Sequence, residues 1–166
     1  WTFYPQCRFL TATHTDKLVR DLAAKFRSVV TSEKYYTLFP HIKLVKEGED
    51  YLTNNHGGDR NTCTVGCNTP TGFHCHIFIL DDILDPQGAR SDAELDNAAK
   101  FVTEVIPGRV VDKTISATIL VMQRLHPRDP TTVMEKVGKI EGAIPVRKIC
   151  LPGEIDSPDE VSPPLN

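Results

Sequence analysis

Four consecutive apolar residues, Ile77-Phe78-Ile79-Leu80, run without alternation into two carboxylates, Asp81-Asp82. A run this short reads as a strand rather than a helix, and the lack of polar alternation suits a parallel strand buried on both faces. Such a strand needs helices on both sides of its sheet, so these six residues point to an α/β layer architecture. Its carboxyl end is the edge at which open α/β sheets bind ligands. Downstream, Ser91-Asp92-Ala93-Glu94 is a capping box. Leu95, Ala98, Ala99, Val102, Val105 and Ile106 follow it at helical spacing until Pro107-Gly108.

The rest of the chain alternates in the same way. Residues 8–12 read as a short buried strand. Residues 13–32 read as an amphipathic helix carrying Leu18, Leu22, Phe26, Val29 and Val30, capped by Thr13 or Thr15. Residues 42–47 and 51–53 suit a hairpin, Asn54-Asn55-His56-Gly57-Gly58 is a turn cluster, and a strand resumes over 60–66. Residues 114–122 read as another buried strand. Asp129-Pro130 supplies an N-cap with proline at the first helical position, for a helix over 131–137, and 146–151 reads as a last strand. The expected fold is therefore α/β, a mostly parallel sheet flanked by helices. From Pro152 to Asn166 the chain is rich in proline and acid and holds no Lys or Arg. This divides it into a domain over 1–151 and a linker or tail over 152–166.

At 166 residues and 18.5 kDa the chain suits one core, and its net charge of −3 gives no global basic field to hold nucleic-acid phosphates. Any such contact rests on a local patch. No stretch of 18 apolar residues occurs and the first eight residues lack an apolar export region, so neither a membrane span nor an export signal is expected. Cys7, Cys63, Cys67, Cys75 and Cys150 are an odd, scattered set that reads as reduced thiols in cytoplasm. A chain that opens at Trp1, almost directly into a strand, reads as a piece of a longer polypeptide.

Two adjacent carboxylates at the end of a buried strand can hold a hydrated Mg²⁺ with one and polarise a water with the other, as the Walker B element of nucleotide hydrolases does. The same two residues also suit a plain turn before Pro86. A phosphate-cradling loop is not found. Residues 66–72 contain glycines but no Lys-Ser or Lys-Thr, and they precede a strand instead of opening a helix. Gln123, Arg124 and His126 follow the strand over 114–122. They emerge at the same edge as Asp81 if the two strands are parallel neighbours, where Gln123 or Arg124 could sense a γ-phosphate; otherwise they form a solvated loop. Cys63, Cys67, His74, Cys75 and His76 are zinc-type ligands at poor spacing, with no Cys-x-x-Cys among them.

The ordered set Phe9-Leu10-Thr11-Ala12-Thr13, Tyr35 to Pro40, Gly57-Gly58, Thr71-Gly72-Phe73-His74, Ile77 to Asp82, Arg90 to Glu94 and Met122-Gln123-Arg124-Leu125-His126, with Asp129-Pro130 and Leu151-Pro152, resembles the large terminase subunit of tailed phages and prophages. The resemblance runs from about Arg8 to Glu154. It implies a P-loop NTPase fold of the ASCE type lacking its first strand and Walker A loop, whose phosphate loop would precede Trp1 and whose nuclease domain would follow Asn166. By that resemblance ATP and Mg²⁺ are the cofactors. Asp81 is the magnesium carboxylate, and Asp82 stands at the catalytic base, where many relatives of the fold have glutamate. Gln123, Arg124 and His126 belong to the coupling motif, and Arg60 is a candidate arginine acting on a neighbouring subunit's nucleotide.

The implied partners are double-stranded viral DNA, the portal protein, the small terminase subunit and further copies in a ring on the procapsid, in the host cytoplasm and without a membrane. Two rivals stand beside this reading. One is a metal-dependent phosphohydrolase or nuclease using Asp81 and Asp82 with Asp112 or Asp129 as a third acid. The other is a non-catalytic prophage remnant, zinc-stabilised or merely residual, with binding roles only.

Overall fold

A computed structural model of the chain describes residues 1–66 and 73–150. Cys67, the Thr71-Gly72 pair and everything from Leu151 onward, including the acidic tail, lie outside the described residues. The chain divides into two compact units, Trp1–Val133 and Met134–Asn166. The division falls inside a helix, well before the boundary at 151 that composition suggests.

The first unit is built on six strands: β1 (Phe9–Thr13), β2 (Leu44–Glu47), β3 (Tyr51–Asn54), β4 (Asp59–Thr64), β5 (Ile77–Asp81) and β6 (Ala117–Val121). They lie in the order β2-β3-β4-β1-β5-β6. The pairs β4-β1, β1-β5 and β5-β6 are parallel, while β2 and β3 form an antiparallel hairpin that continues antiparallel onto β4. The fold is thus α/β with a mostly parallel sheet flanked by helices. β1 and β5 are the central strands, and Leu10, Ala12, Phe78 and Leu80 are fully buried. Burying each of the larger side chains stabilises the fold by about 1.5–3 kcal/mol.

α1 (Asp16–Val30) starts where the Thr15 side chain accepts from the Leu18 N–H, so Thr15 and not Thr13 is its cap. Its inward residues are Val19, Ala23 and Val30, with Phe26 half-buried, while Leu18 and Val29 stay exposed. The buried stripe is rotated by about one residue from the expected one: it runs through 19, 23, 26 and 30, and Leu18 and Val29 lie beside it on the solvent side. α2 (Glu33–Leu38), unforeseen in the sequence, is capped by Ser32 and buries Tyr35 with Val30, Ile42 and Leu52.

α3 (Asp92–Lys100) begins at the capping box, with Ser91 accepting from the Glu94 N–H. It does not run unbroken to Pro107. A π-helical turn over Phe101–Val105, closed by the Ile106 N–H on the Phe101 carbonyl, widens the last part and keeps Phe101, Val102 and Ile106 buried. α4 (Pro130–Val137) starts as Asp129-Pro130 predicts.

Two strand expectations are corrected. β6 is not buried on both faces: it is an edge strand with Ile119 and Val121 about half exposed. Residues 146–149 form no strand. They belong to the second unit, whose described part continues α4 into turns and holds Glu135 and Lys148 together at 2.9 Å.

Candidate functional site

Three βα connections leave the carboxyl edge of the parallel strands side by side. β1 ends at Thr13 and passes through His14 and Thr15 into α1. β5 ends at Asp81, and β6 ends at Val121 beside it, with Asp81 and Val121 in register. From β1 the chain travels outward through α1 and α2 to the hairpin and β4; from β5 it travels the other way, through α3 to β6. The crevice between the ends of β1 and β5 is therefore the topological switch point, where ligands bind in sheets of this kind.

Asp81 is half-buried and Asp82 is exposed. Asp82 has φ +44°, a left-handed conformation that residues other than glycine adopt only at a cost. Its N–H donates to the Val121 carbonyl at 2.9 Å, and its own carbonyl accepts from His14 Nδ1 at 2.6 Å. Among the described residues no hydrogen bond or ion pair takes up either side-chain carboxylate. Two hard oxygen ligands side by side fit a hydrated Mg²⁺ that also binds substrate phosphates. They do not make an all-protein metal cage: the described residues contain no group of three or more His, Cys, Asp or Glu able to hold an ion. Next to the contact of His14 with the Asp82 carbonyl, His14, Thr15, Asp16, Thr64, Glu94 and Asn97 line a cavity of about 440 Å³, and neither Asp81 nor Asp82 is among its lining residues.

The segment leaving β6 is organised by a residue that sequence reasoning treated mainly as a helix cap. Asp129 is 0% exposed. Its Oδ2 accepts from the Leu125 N–H at 3.0 Å and the His126 N–H at 3.4 Å, and its Oδ1 accepts from the Thr132 N–H at 3.1 Å. Arg124 Nε lies 3.3 Å from Asp129 Oδ2, and an Arg124 terminal nitrogen donates to Thr132 Oγ1 at 2.8 Å. Arg124 is thus tied into the loop. Gln123 stays exposed, and His126 Nδ1 accepts from the Arg128 N–H at 3.1 Å.

Other sequence-derived candidates fall elsewhere. Arg60, on β4, is 9% exposed; its guanidinium stacks on the Phe26 ring at 4.5 Å and donates to Thr11 Oγ1 at 3.3 Å. Burial pulls it down to about 10, which still leaves it a cation at neutral pH. A guanidinium packed in this way braces α1 against the sheet, and reaching another subunit would require it to leave that contact. Gly57, at φ +77°, turns the chain between β3 and β4. A Cβ on Gly58 would lie 1.9 Å from the Pro5 carbonyl oxygen, so this glycine pair serves the close packing of the N-terminal segment.

The cysteines of the zinc-type set that are described, Cys63 and Cys75, lie far apart. Cys63 pairs with Ala12 near the carboxyl end of the sheet, whereas Cys75 precedes β5 at the amino end, roughly 16 Å away at strand rise. Burial pushes the Cys75 thiol up to about 12, and His76 Nδ1 is occupied by the Arg8 N–H. The third acid of the metal-only rival is not supplied by either candidate. Asp129 is buried and engaged. Asp112 precedes β6 at the opposite edge of the sheet, bonded to Thr114, whose hydroxyl and N–H hold its carboxyl below the usual range.

Sequence reasoning missed His14. Its position directly after a strand and before a helix cap placed it at the carboxyl edge, but its partner lies 68 residues away and depends on strand order. Comparison with protein-family models and with curated proteins finds no match to this chain.

Proposed function

We propose that this chain is the middle and rear of a P-loop ATPase domain of the phage large-terminase kind, part of a motor that drives double-stranded DNA into a procapsid. The observation that carries the reading is the side-by-side emergence of His14, Asp81-Asp82 and Gln123 at one carboxyl edge of a parallel sheet, with neither carboxylate engaged by a side chain or backbone group among the described residues. A Mg²⁺-nucleotide bound there would bring charge neutralisation for phosphoryl transfer, and Asp81 would hold its metal. Asp82 takes the proton of the attacking water. Gln123, a neutral amide able to donate and accept, follows the state of the γ-phosphate, a task less suited to Arg124, which is bound to Asp129 and Thr132.

The phosphate loop would belong to a further strand pairing with the side of β6 that no described strand occupies. That edge is parallel, carries no charge and leaves Ile119 and Val121 half exposed, which suits an interior strand of a doubly covered sheet. The portal protein, the small terminase subunit and neighbouring copies in a ring, in the host cytoplasm, complete the proposal. No described helix is long and apolar enough to cross a membrane.

The test is to express this chain in one polypeptide with the coding sequence that precedes Trp1. Mg²⁺-dependent ATP turnover that Asp81→Asn abolishes is the expected result, while the 166-residue chain alone stays inactive. Absence of turnover in the longer polypeptide, or turnover indifferent to Asp81→Asn, overturns the reading.

A further inference from the structure

The left-handed peptide at Asp82 is held from two sides, and one of the holders is a side chain. The Val121 carbonyl accepts the Asp82 N–H, and His14 Nδ1 lies 2.6 Å from the Asp82 carbonyl oxygen. A carbonyl has no proton to give, so His14 carries its proton on Nδ1 and donates it, in the neutral tautomer as in the cation. The backbone of His14 is itself fixed. Thr13 before it is fully buried in β1, and Thr15 after it caps α1. The imidazole therefore ties the end of β1 to the residue after β5, across the crevice where the two connections part.

Without the His14 bond, only the Val121 carbonyl would hold Asp82 against relaxing toward a negative φ, and the carboxylate would swing with the backbone that carries it. The chain beyond it cannot compensate, because Ile83 and Leu84 are buried at once. We infer that His14 is a positioning residue for the Asp82 carboxylate, acting through the Asp82 carbonyl; this role rests on the ATPase reading proposed above. His14 neither touches the reacting atoms nor binds the metal in this assignment. Its contribution is to hold the second carboxylate at one reach, which matters more for an aspartate than for a longer glutamate.

Two variants test it. His14→Ala removes the donor, and His14→Asn restores an N–H at the position of Nδ1 with no ring. In the 166-residue chain, His14→Ala is expected to speed hydrogen exchange of the Asp82 amide by about tenfold, because its bond to the Val121 carbonyl then stands without the brace on the Asp82 carbonyl, while His14→Asn leaves it near wild type. In the longer polypeptide, His14→Ala is expected to lower kcat by about tenfold or more with KM for ATP unchanged, and His14→Asn to recover most of it.

Unchanged exchange at Asp82, or unchanged kcat in a polypeptide whose wild type turns over ATP, overturns the role of His14 and leaves the ATPase reading standing. A wild type without turnover overturns the ATPase reading and this role with it. If His14→Ala does not fold, His14→Asn decides: a folded His14→Asn with a kcat as low as that of Asp82→Asn shows that the bond to the carbonyl is not what matters.

Discussion

The two lateral edges of the sheet are finished differently. At one edge, β2 is four residues long, its pairing with β3 is bulged between Leu44 and Lys46, and Lys46 and Glu47 stand on it. Charge, shortness and a bulge are the usual means of preventing a strand from recruiting another. At the other edge β6 reads Ala-Thr-Ile-Leu-Val, pairs regularly with β5 over all five residues, and carries none of these devices. One apolar side chain, Val45, is exposed on β2 between Leu44 and Lys46; on β6, Ile119 and Val121 are exposed together, with Ile115 just before them. The difference teaches that β2 is a true boundary, whereas β6 has the composition of an interior strand.

The comparison predicts that the β6 side is open but not loose. Asp129→Ala should destabilise the chain by about 3 kcal/mol, since it removes a helix cap and strands the Leu125 and His126 N–H groups, and urea unfolding measures it. A cost near zero would mean that the segment beyond β6 is unstructured. On the finished side, Asn54→Ala should cost about 2 kcal/mol by the same measurement. Asn54 is 1% exposed, donates to the Pro5 carbonyl and accepts from the His56 and Gly58 N–H groups.

A smaller effect comes from Cys75, which joins Val110 in an isolated bridge below β5 and β6. Burial raises its folded value from 9.0 to about 12, so the folded state keeps a proton that the unfolded thiol loses. The associated stability is fully present below pH 9 and is lost as pH climbs from 9 toward 12, amounting to about 1.4 kcal/mol by pH 10. Comparing the slopes of stability against pH for wild type and Cys75→Ala checks this. A Cys75→Ala slope as steep as the wild-type one would assign the loss to other groups.

The smallest effect on stability is at the edges themselves. Ile119→Lys and Val45→Lys should each change unfolding free energy by less than about 0.5 kcal/mol, being surface changes. Their association behaviour should separate them. Sedimentation of the isolated chain at rising concentration should show self-association that Ile119→Lys suppresses and Val45→Lys leaves alone. Equal responses would erase the distinction between the edges.

Much of the local structure was decided by the sequence by itself. The apolar run of β5 and its carboxylate end, the Thr15 cap of α1, the capping box of α3 and the Asp129-Pro130 start of α4 each depend on residues no more than about four positions apart, and short-range sterics and hydrogen bonds suffice for them. The alternation of strands and helices likewise carried the mostly parallel sheet. Tertiary structure alone decided what meets at the site. His14 and Asp82 are 68 residues apart and meet because β1 and β5 pair; Arg60 lies on Phe26 because β4 faces α1; β6 is exposed because no described strand follows it in the sheet. Such adjacencies are set by which strands close on one another, a long-range choice that hydrophobic periodicity does not encode, since an apolar strand reads the same in the middle of a sheet and at its edge.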